Sequence, residues 1–173
     1  NAAALGELWQ GGGRGYRDMV MVTLGTGVGG AVILNGKVLA GAHGIAGEIG
    51  HMTVFHKEIE RCACGKYGCV EQYASAKGLI RITRQLLEKK DPYTILVDTP
   101  ELSAKQILDA AKRGDRLALD AVEVLGKALG SALAAVAEVI DPEVFVIGGG
   151  IARAGEIIPR IVQKYYRPDV LPA

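Results

Sequence analysis

The stretch "MVMVTLGTGVGGAVILNGKVLAG", residues 19–41, decides the fold. Its first part, Met19 to Gly25, is apolar and β-branched and reads as a buried strand. "GTGVGG" then matches G-x-G-x-x-G through Gly25, Gly27 and Gly30. A dinucleotide fold needs a helix after that run, because the pyrophosphate sits on the helix N-terminus. Here "AVILNGKVLAG" follows, two short apolar runs around Asn35-Gly36, a pair that tolerates the positive φ angles of a type I′ turn. The front of the chain therefore predicts strand, glycine turn, strand, tight turn, strand, and the Rossmann reading is rejected. A glycine turn between antiparallel strands can still present backbone N–H groups and the Thr26 hydroxyl to a phosphate. The alternative is a glycine-rich hairpin with no ligand.

Upstream, Ala2 to Trp9 reads as the end of a helix running into the loop Gly11 to Gly15. Downstream the pattern turns helical. Ala74 to Lys90 carries apolar residues at Leu79, Ile82 and Leu86, with Pro92 as its stop. Ser103 to Gly114 has a Ser cap and a Gly stop, and Asp115 to Ile140 predicts a long central helix closed by Asp141-Pro142. "VFVIGGGIARAGEII", from Val144, has the order strand, glycines, helix, which favours negative charge at the helix start. Its alternative is an ordinary tight turn. Two glycine turns on two strand ends could clamp opposite ends of one nucleotide.

All three cysteines, Cys62, Cys64 and Cys69, fall within eight residues, and His51 stands eleven positions before the first. One His and three thiolates form a ligand set for tetrahedral structural zinc, in a loop spanning about residues 51–71. The alternative is three free core cysteines, although Cys62 and Cys64 lie in a polar loop beside Arg61 and Lys66. His56 is a rival ligand; in extended chain it points opposite to His51, so one of the two serves. No position is left open for activated water, so the metal would be structural. Glu48 and Glu71 flank the cluster. A metal-held loop would pin both as acceptors for sugar hydroxyls; otherwise they are solvated surface acids.

The bulk composition sets limits. The 173 residues suit one domain with a sizeable core, and 49% hydrophobic with 23% charged residues is an ordinary globular balance. A net charge of +1 offers no basic field for nucleic acid. The most apolar run, Ala128 to Ile140, is broken by Ser131 and Glu138 and is too short for a bilayer. Asn1 to Gln10 lacks the cationic and apolar regions of a leader. Clustered thiols without a targeting segment predict a reducing, cytoplasmic setting, with no membrane and no nucleic-acid partner.

Four stretches, "NAAALGE" at Asn1, "TLGTGVGGAVILNGKVLAGAHGIAGEIGHMTV" at Thr23, "CACGKYGCVEQYASAKG" at Cys62 and "VFVIGGGIARAGE" at Val144, resemble the ROK family of sugar kinases and repressors, and within it the bacterial glucokinase branch. The resemblance implies an α/β kinase domain of the actin-like ATPase, ribonuclease-H-like fold. It implies that Gly25, Thr26 and Gly27 meet ATP phosphates and that Gly148, Gly149 and Gly150 line the nucleotide side. It implies that Glu48, His51 and Glu71 meet the sugar, with His51 also binding zinc through its other ring nitrogen. Mg²⁺ would accompany ATP, and a homodimer is expected. In the family an Asn-Asp pair, whose Asp is the catalytic base, precedes "NAAALGE". The chain is therefore expected to be the larger C-terminal domain of a two-domain sugar kinase, cut at both ends and inactive by itself. "GIAGEIGH" with "GCVEQYASA" favours glucose as the hexose. Two alternatives stand: a sugar-sensing repressor of the same family, and a non-catalytic zinc-stabilised sugar-binding module.

Overall fold

The computed structural model describes residues 1–89, 94–97, 99 and 101–171. Its centre is a four-stranded mixed sheet: β1 (Met19–Leu24), β2 (Val28–Leu34), β3 (Lys37–Val38) and β4 (Val144–Gly148), in the spatial order β3-β2-β1-β4. β1 pairs antiparallel with β2 and parallel with β4, and β2 pairs antiparallel with β3. The expected hairpin turn forms at Asn35 and Gly36, with φ of 51° and 73°, as a type I′ turn requires.

β1 is apolar on both sides because both sides are covered. Val20, Val22 and Leu24 belong to the main core beneath the helices, whereas Met19 and Met21 face a smaller cluster with Ala4, Ala31 and Ile33. Ala4 comes from α1 (Ala2–Gln10), so α1 closes one face of the sheet. The other face carries α3 (Ala76–Lys89), α4 (Ala104–Lys112), α5 (Arg116–Ile140) and α6 (Ile157–Tyr166). A strand buried on both faces reads as a continuous apolar run rather than an alternating one.

The helix ends follow their residues. Ser103 and Gln106 make a reciprocal capping box at α4, and the Asp115 carboxylate accepts the Ala118 amide at 2.9 Å to start α5. α5 ends at Asp141, which adopts a left-handed conformation with φ 49°. Thirteen of its residues are buried, as the sequence predicts for a central helix.

Two expectations need correction. The helix expected over Ala74 to Lys90 forms, but it starts two residues later, at Ala76. α2 (Glu71–Ala74) ends at Ser75, which is extended (ψ 167°), and α3 restarts at Ala76. The Ala76 amide donates to the Gly25 carbonyl at 2.8 Å, a bond that ties the new helix start to the first glycine turn. Lys90 and the expected stop at Pro92 lie outside the described residues. The second glycine turn does not run straight into a helix either: a short 3-10 turn, Ile151–Ala154, intervenes before α6. Gly155, with φ 79°, resets the direction between them. Among the described residues, no helix is long and apolar enough to cross a membrane.

Candidate functional site

Parallel pairing of β1 with β4 sets Thr23 opposite Gly148 and so brings the two glycine turns side by side. The contact is close. Gly149 has φ 92°, and a Cβ there would collide with the Leu24 carbonyl immediately before Gly25. Only glycine combines that backbone angle with that approach. Gly25, Thr26 and Gly150 then share the wall of a cleft of about 530 Å³ with Ala76, Ala104, Leu108 and Ile151. Lys105, Asp109, Lys112 and Arg153 add charge to the same cleft. The first residue of α3 stands in this wall, so the positive end of a 14-residue helix opens on it. Gly148 and Gly149 shape the turn from behind without lining the cleft.

A second cleft, of about 380 Å³, shares Thr26 with the first. Thr26, Gly27, Cys62, Glu71 and Gln72 are among its lining residues. Glu71 is the link between the glycine turn and the cysteine loop: its Oε2 accepts the Val28 amide at 3.0 Å, and its Oε1 lies 4.0 Å from Cys62 Sγ. Its carboxylate also touches the place a Cβ on Gly27 would occupy. Residue 27 therefore has room for glycine alone while Glu71 stays where it is.

His51, Cys62, Cys64 and Cys69 come together as the spacing predicts, with ligand atoms within 4.8 Å of one another. His51 Nδ1 lies 3.7 Å from Cys62 Sγ, and Cys64 Sγ lies 3.6 Å from Cys69 Sγ. A tetrahedron with metal–sulfur bonds of about 2.3 Å has edges of about 3.8 Å, so these separations match a zinc site. The donor chemistry agrees. Burial pushes the Cys69 thiol up to about 12, and the neighbouring sulfurs push it the same way, so Cys69 would ionise near neutral pH only with a cation beside it. His56 is exposed and stands outside the cluster.

Glu48 and His51 share the 3-10 turn Ile49–His51, with the His51 amide donating to the Glu48 carbonyl at 3.0 Å. Ile49 anchors that turn in the core, which leaves Glu48 exposed and His51 half-buried. Neither residue lines the two clefts beside Thr26.

One network escaped the sequence reading. Glu58, from the metal loop, accepts the Tyr73 hydroxyl at 2.6 Å and pairs with Arg81 of α3 at 2.9 Å. Its other oxygen accepts the Ile59 and Glu60 amides at 2.9 and 3.0 Å. Phe55 packs edge-on against the Tyr73 ring, with centroids 4.4 Å apart. Burial raises the Glu58 pKa, but the hydrogen bonds from Tyr73, the Glu60 amide and Arg81, together with the Arg81 charge, outweigh it and hold the group at about 2. A folded value below the ordinary 4.5 means stability that is fully present above about 4.5 and lost as pH falls toward 2. The gap in melting temperature between wild type and Glu58→Gln is expected to stay constant above about pH 5 and to close between about pH 4.5 and 2. A gap that persists unchanged at pH 2 to 3 would contradict this ion-pair account.

The mixed sheet, paired glycine turns and helices on both faces define an α/β domain consistent with the actin-like ATPase class. The chain belongs to the ROK family, whose profile matches residues 1–169. It is 41% identical to the glucokinase of Halalkalibacterium halodurans over 99% of this chain and 53% of that protein. It is 32% identical to the DNA-binding transcriptional dual regulator NagC of Escherichia coli K12, over 98% of this chain and 41% of that protein. Among solved structures, it superposes with a TM-score of 0.90 on a ROK family glucokinase from Streptomyces griseus in complex with glucose and AMPPNP, at 35% identity. That match covers 100% of this chain and 57% of the glucokinase. The chain spans about half the length of the relatives it matches.

Proposed function

We propose that the intact protein is an ATP-dependent hexose kinase that converts glucose to glucose 6-phosphate. The observation that carries this reading is the position of one glycine turn: Thr26 lines both clefts, and Glu71 reaches the amide that follows the turn. A group bound in one cleft is then adjacent to a group bound in the other, as transfer of a phosphoryl group requires. Likeness to glucokinases, one of them solved with glucose and AMPPNP, supports the same assignment.

Each part has a physical task. Gly25, Thr26 and Gly27 offer backbone and hydroxyl donors to the transferred phosphates, with the positive end of α3 behind them. Gly150 leaves space for the nucleotide against the backbone, while Gly148 and Gly149 let the turn pass close beside β1. Mg²⁺ bound with ATP would neutralise the developing charge. Glu48 and Glu71 accept hydrogen bonds from sugar hydroxyls, two carboxylates binding more strongly than neutral acceptors, and His51, with one ring nitrogen on zinc, donates its other N–H to a sugar oxygen. Each oxygen of Glu71 keeps a free lone pair beside the contacts already described. Zinc on His51, Cys62, Cys64 and Cys69 would neutralise the thiolates and hold loop 51–71 against the site. The proton of the sugar 6-hydroxyl goes to an Asp supplied by the protein upstream of Asn1.

Coupled detection of glucose 6-phosphate by the full-length protein tests the reading. Glu48→Gln is expected to raise the KM for glucose about tenfold, with the KM for ATP changed less than about twofold. Equal losses for both substrates would remove Glu48 from the sugar site. A second reading, a sugar-sensing repressor of the same family, is favoured by the likeness to NagC. Glucose binding by calorimetry, without any ATP-dependent turnover, would select it.

A further inference from the structure

We propose that Arg81, acting with Glu58, is a positioning residue for Glu71: it fastens the metal loop to the helical turn that carries Glu71 and so holds that carboxylate against the first glycine turn. The proposal rests on the reading of Glu71 as a sugar ligand given above.

Arg81, on α3, lines the second cleft together with Thr26, Gly27, Cys62 and Glu71, and its guanidinium joins three parts of the site. It donates to Glu58 Oε2 at 2.9 Å and to the Gln72 carbonyl at 3.1 Å, and it stands 3.3 Å from Glu60 Oε1. It also lies over the Tyr73 ring, 5.4 Å from the centroid. Glu58 and Glu60 belong to the loop; Gln72 and Tyr73 belong to α2, directly after Glu71. Gln72 repeats the connection with its own side chain: Oε1 accepts the Cys69 amide at 3.1 Å, and Nε2 donates to the Glu60 carbonyl at 3.0 Å. Two of the four residues of α2 thus hold the loop, and Glu71 reaches from Cys62 of that loop to the Val28 amide.

That arrangement gives α2 little rigidity of its own. A single helical turn is far below the length at which helices are stable in isolation. Its orientation is set by what grips it, and Arg81 grips both its backbone and the loop beside it. The Glu58 side chain is only 9% exposed, so the pair sits in a low-dielectric position where loss of one partner leaves a buried, uncompensated charge. A planar guanidinium can serve two acceptors and a ring at once; an ammonium group cannot.

The test uses the full-length, zinc-loaded protein and the variants Arg81→Met, Arg81→Lys and Glu58→Gln. Two quantities are read. The first is the KM for glucose against the KM for ATP. Arg81→Met is expected to raise the former about tenfold or more and the latter less than about twofold, because misplacing a binding group by a fraction of an ångström is costly. Arg81→Lys is expected to recover only part of the loss. The second is exchange of the Val28 amide, which reports the grip of Glu71 without reference to any sugar; it is expected to quicken about tenfold in Arg81→Met. Zinc content measured in parallel is expected to stay at the wild-type level. A role confined to stability would lower the melting temperature while leaving both quantities at wild-type values, and that result overturns the proposal, as does movement of only one of them in an active enzyme. If the wild-type protein does not phosphorylate a hexose, the functional reading fails, and Val28 exchange alone decides whether Arg81 positions Glu71. Should Arg81→Met not fold, Arg81→Lys and Glu58→Gln carry the same two measurements.

Discussion

Cys69→Ser is expected to abolish zinc binding and to destabilise the protein by at least about 4 kcal/mol. Cys69 is fully buried, and its sulfur pairs with Cys64 in the ligand cluster. Its neighbourhood depends on the loop staying closed: Thr53 and Cys69 form an antiparallel bridge, the Val54 amide donates to the Gly68 carbonyl at 2.8 Å, and the Cys69 amide is held by Gln72. Without the metal, the remaining thiols and His51 lose the cation that organises them. Cys64 is exposed, and Cys64→Ser is expected to lose zinc as well, with a smaller effect on packing. Elemental analysis and thermal melting of both variants check this. Zinc-free wild-type protein with three freely titrating thiols and an unaltered melting temperature would refute the metal assignment.

Glu71→Gln is expected to lower kcat/KM for glucose by about a hundredfold, since charge-assisted hydrogen bonds contribute about 1.5–3 kcal/mol each. Gln keeps the size of the side chain and an oxygen that can still accept the Val28 amide, so the glycine turn should survive and the KM for ATP should move less than about twofold. Glu71→Ala removes that support too. It should therefore harm both substrates, and the contrast between the two variants separates the carboxylate's charge from its role as a prop. A Gln variant with wild-type glucose kinetics would take Glu71 out of the sugar site.

Much of the site is legible in the residues. The cysteines and His51 lie close together in sequence, and thiolate chemistry with that spacing has few other uses; the structure brings the same four side chains together. The hairpin at Asn35-Gly36 and the cap at Ser103 follow from φ preference and side-chain reach, which act over a few residues. The break at Ser75 has a local cause that the apolar spacing hides: the Ser75 hydroxyl accepts the Gly78 amide at 3.0 Å and caps α3. Ala74 to Lys90 reads as one amphipathic helix; the Gly25 carbonyl, some fifty residues earlier, adds a tertiary partner for the Ala76 amide at its actual start. Arg81 likewise looks like a solvated residue on a helix face until Glu58 and Tyr73 are placed around it.

The sequence by itself determined the local pieces: a strand apolar on both sides, a glycine turn that cannot lead into a helix, a thiol cluster with one His, and a long helix of small apolar residues. Periodicity, turn chemistry and ligand type are properties of neighbours along the chain, so they can be read without a fold. Tertiary structure decided how those pieces meet. The two glycine turns share a cleft because β4 lies parallel beside β1, in a register that sets Thr23 against Gly148 across more than a hundred residues. That pairing is selected by burial of both sheet faces at once, under α1 on one side and α3 to α6 on the other. Hydrophobic burial is non-directional and acts on the whole core, so no short stretch encodes its outcome.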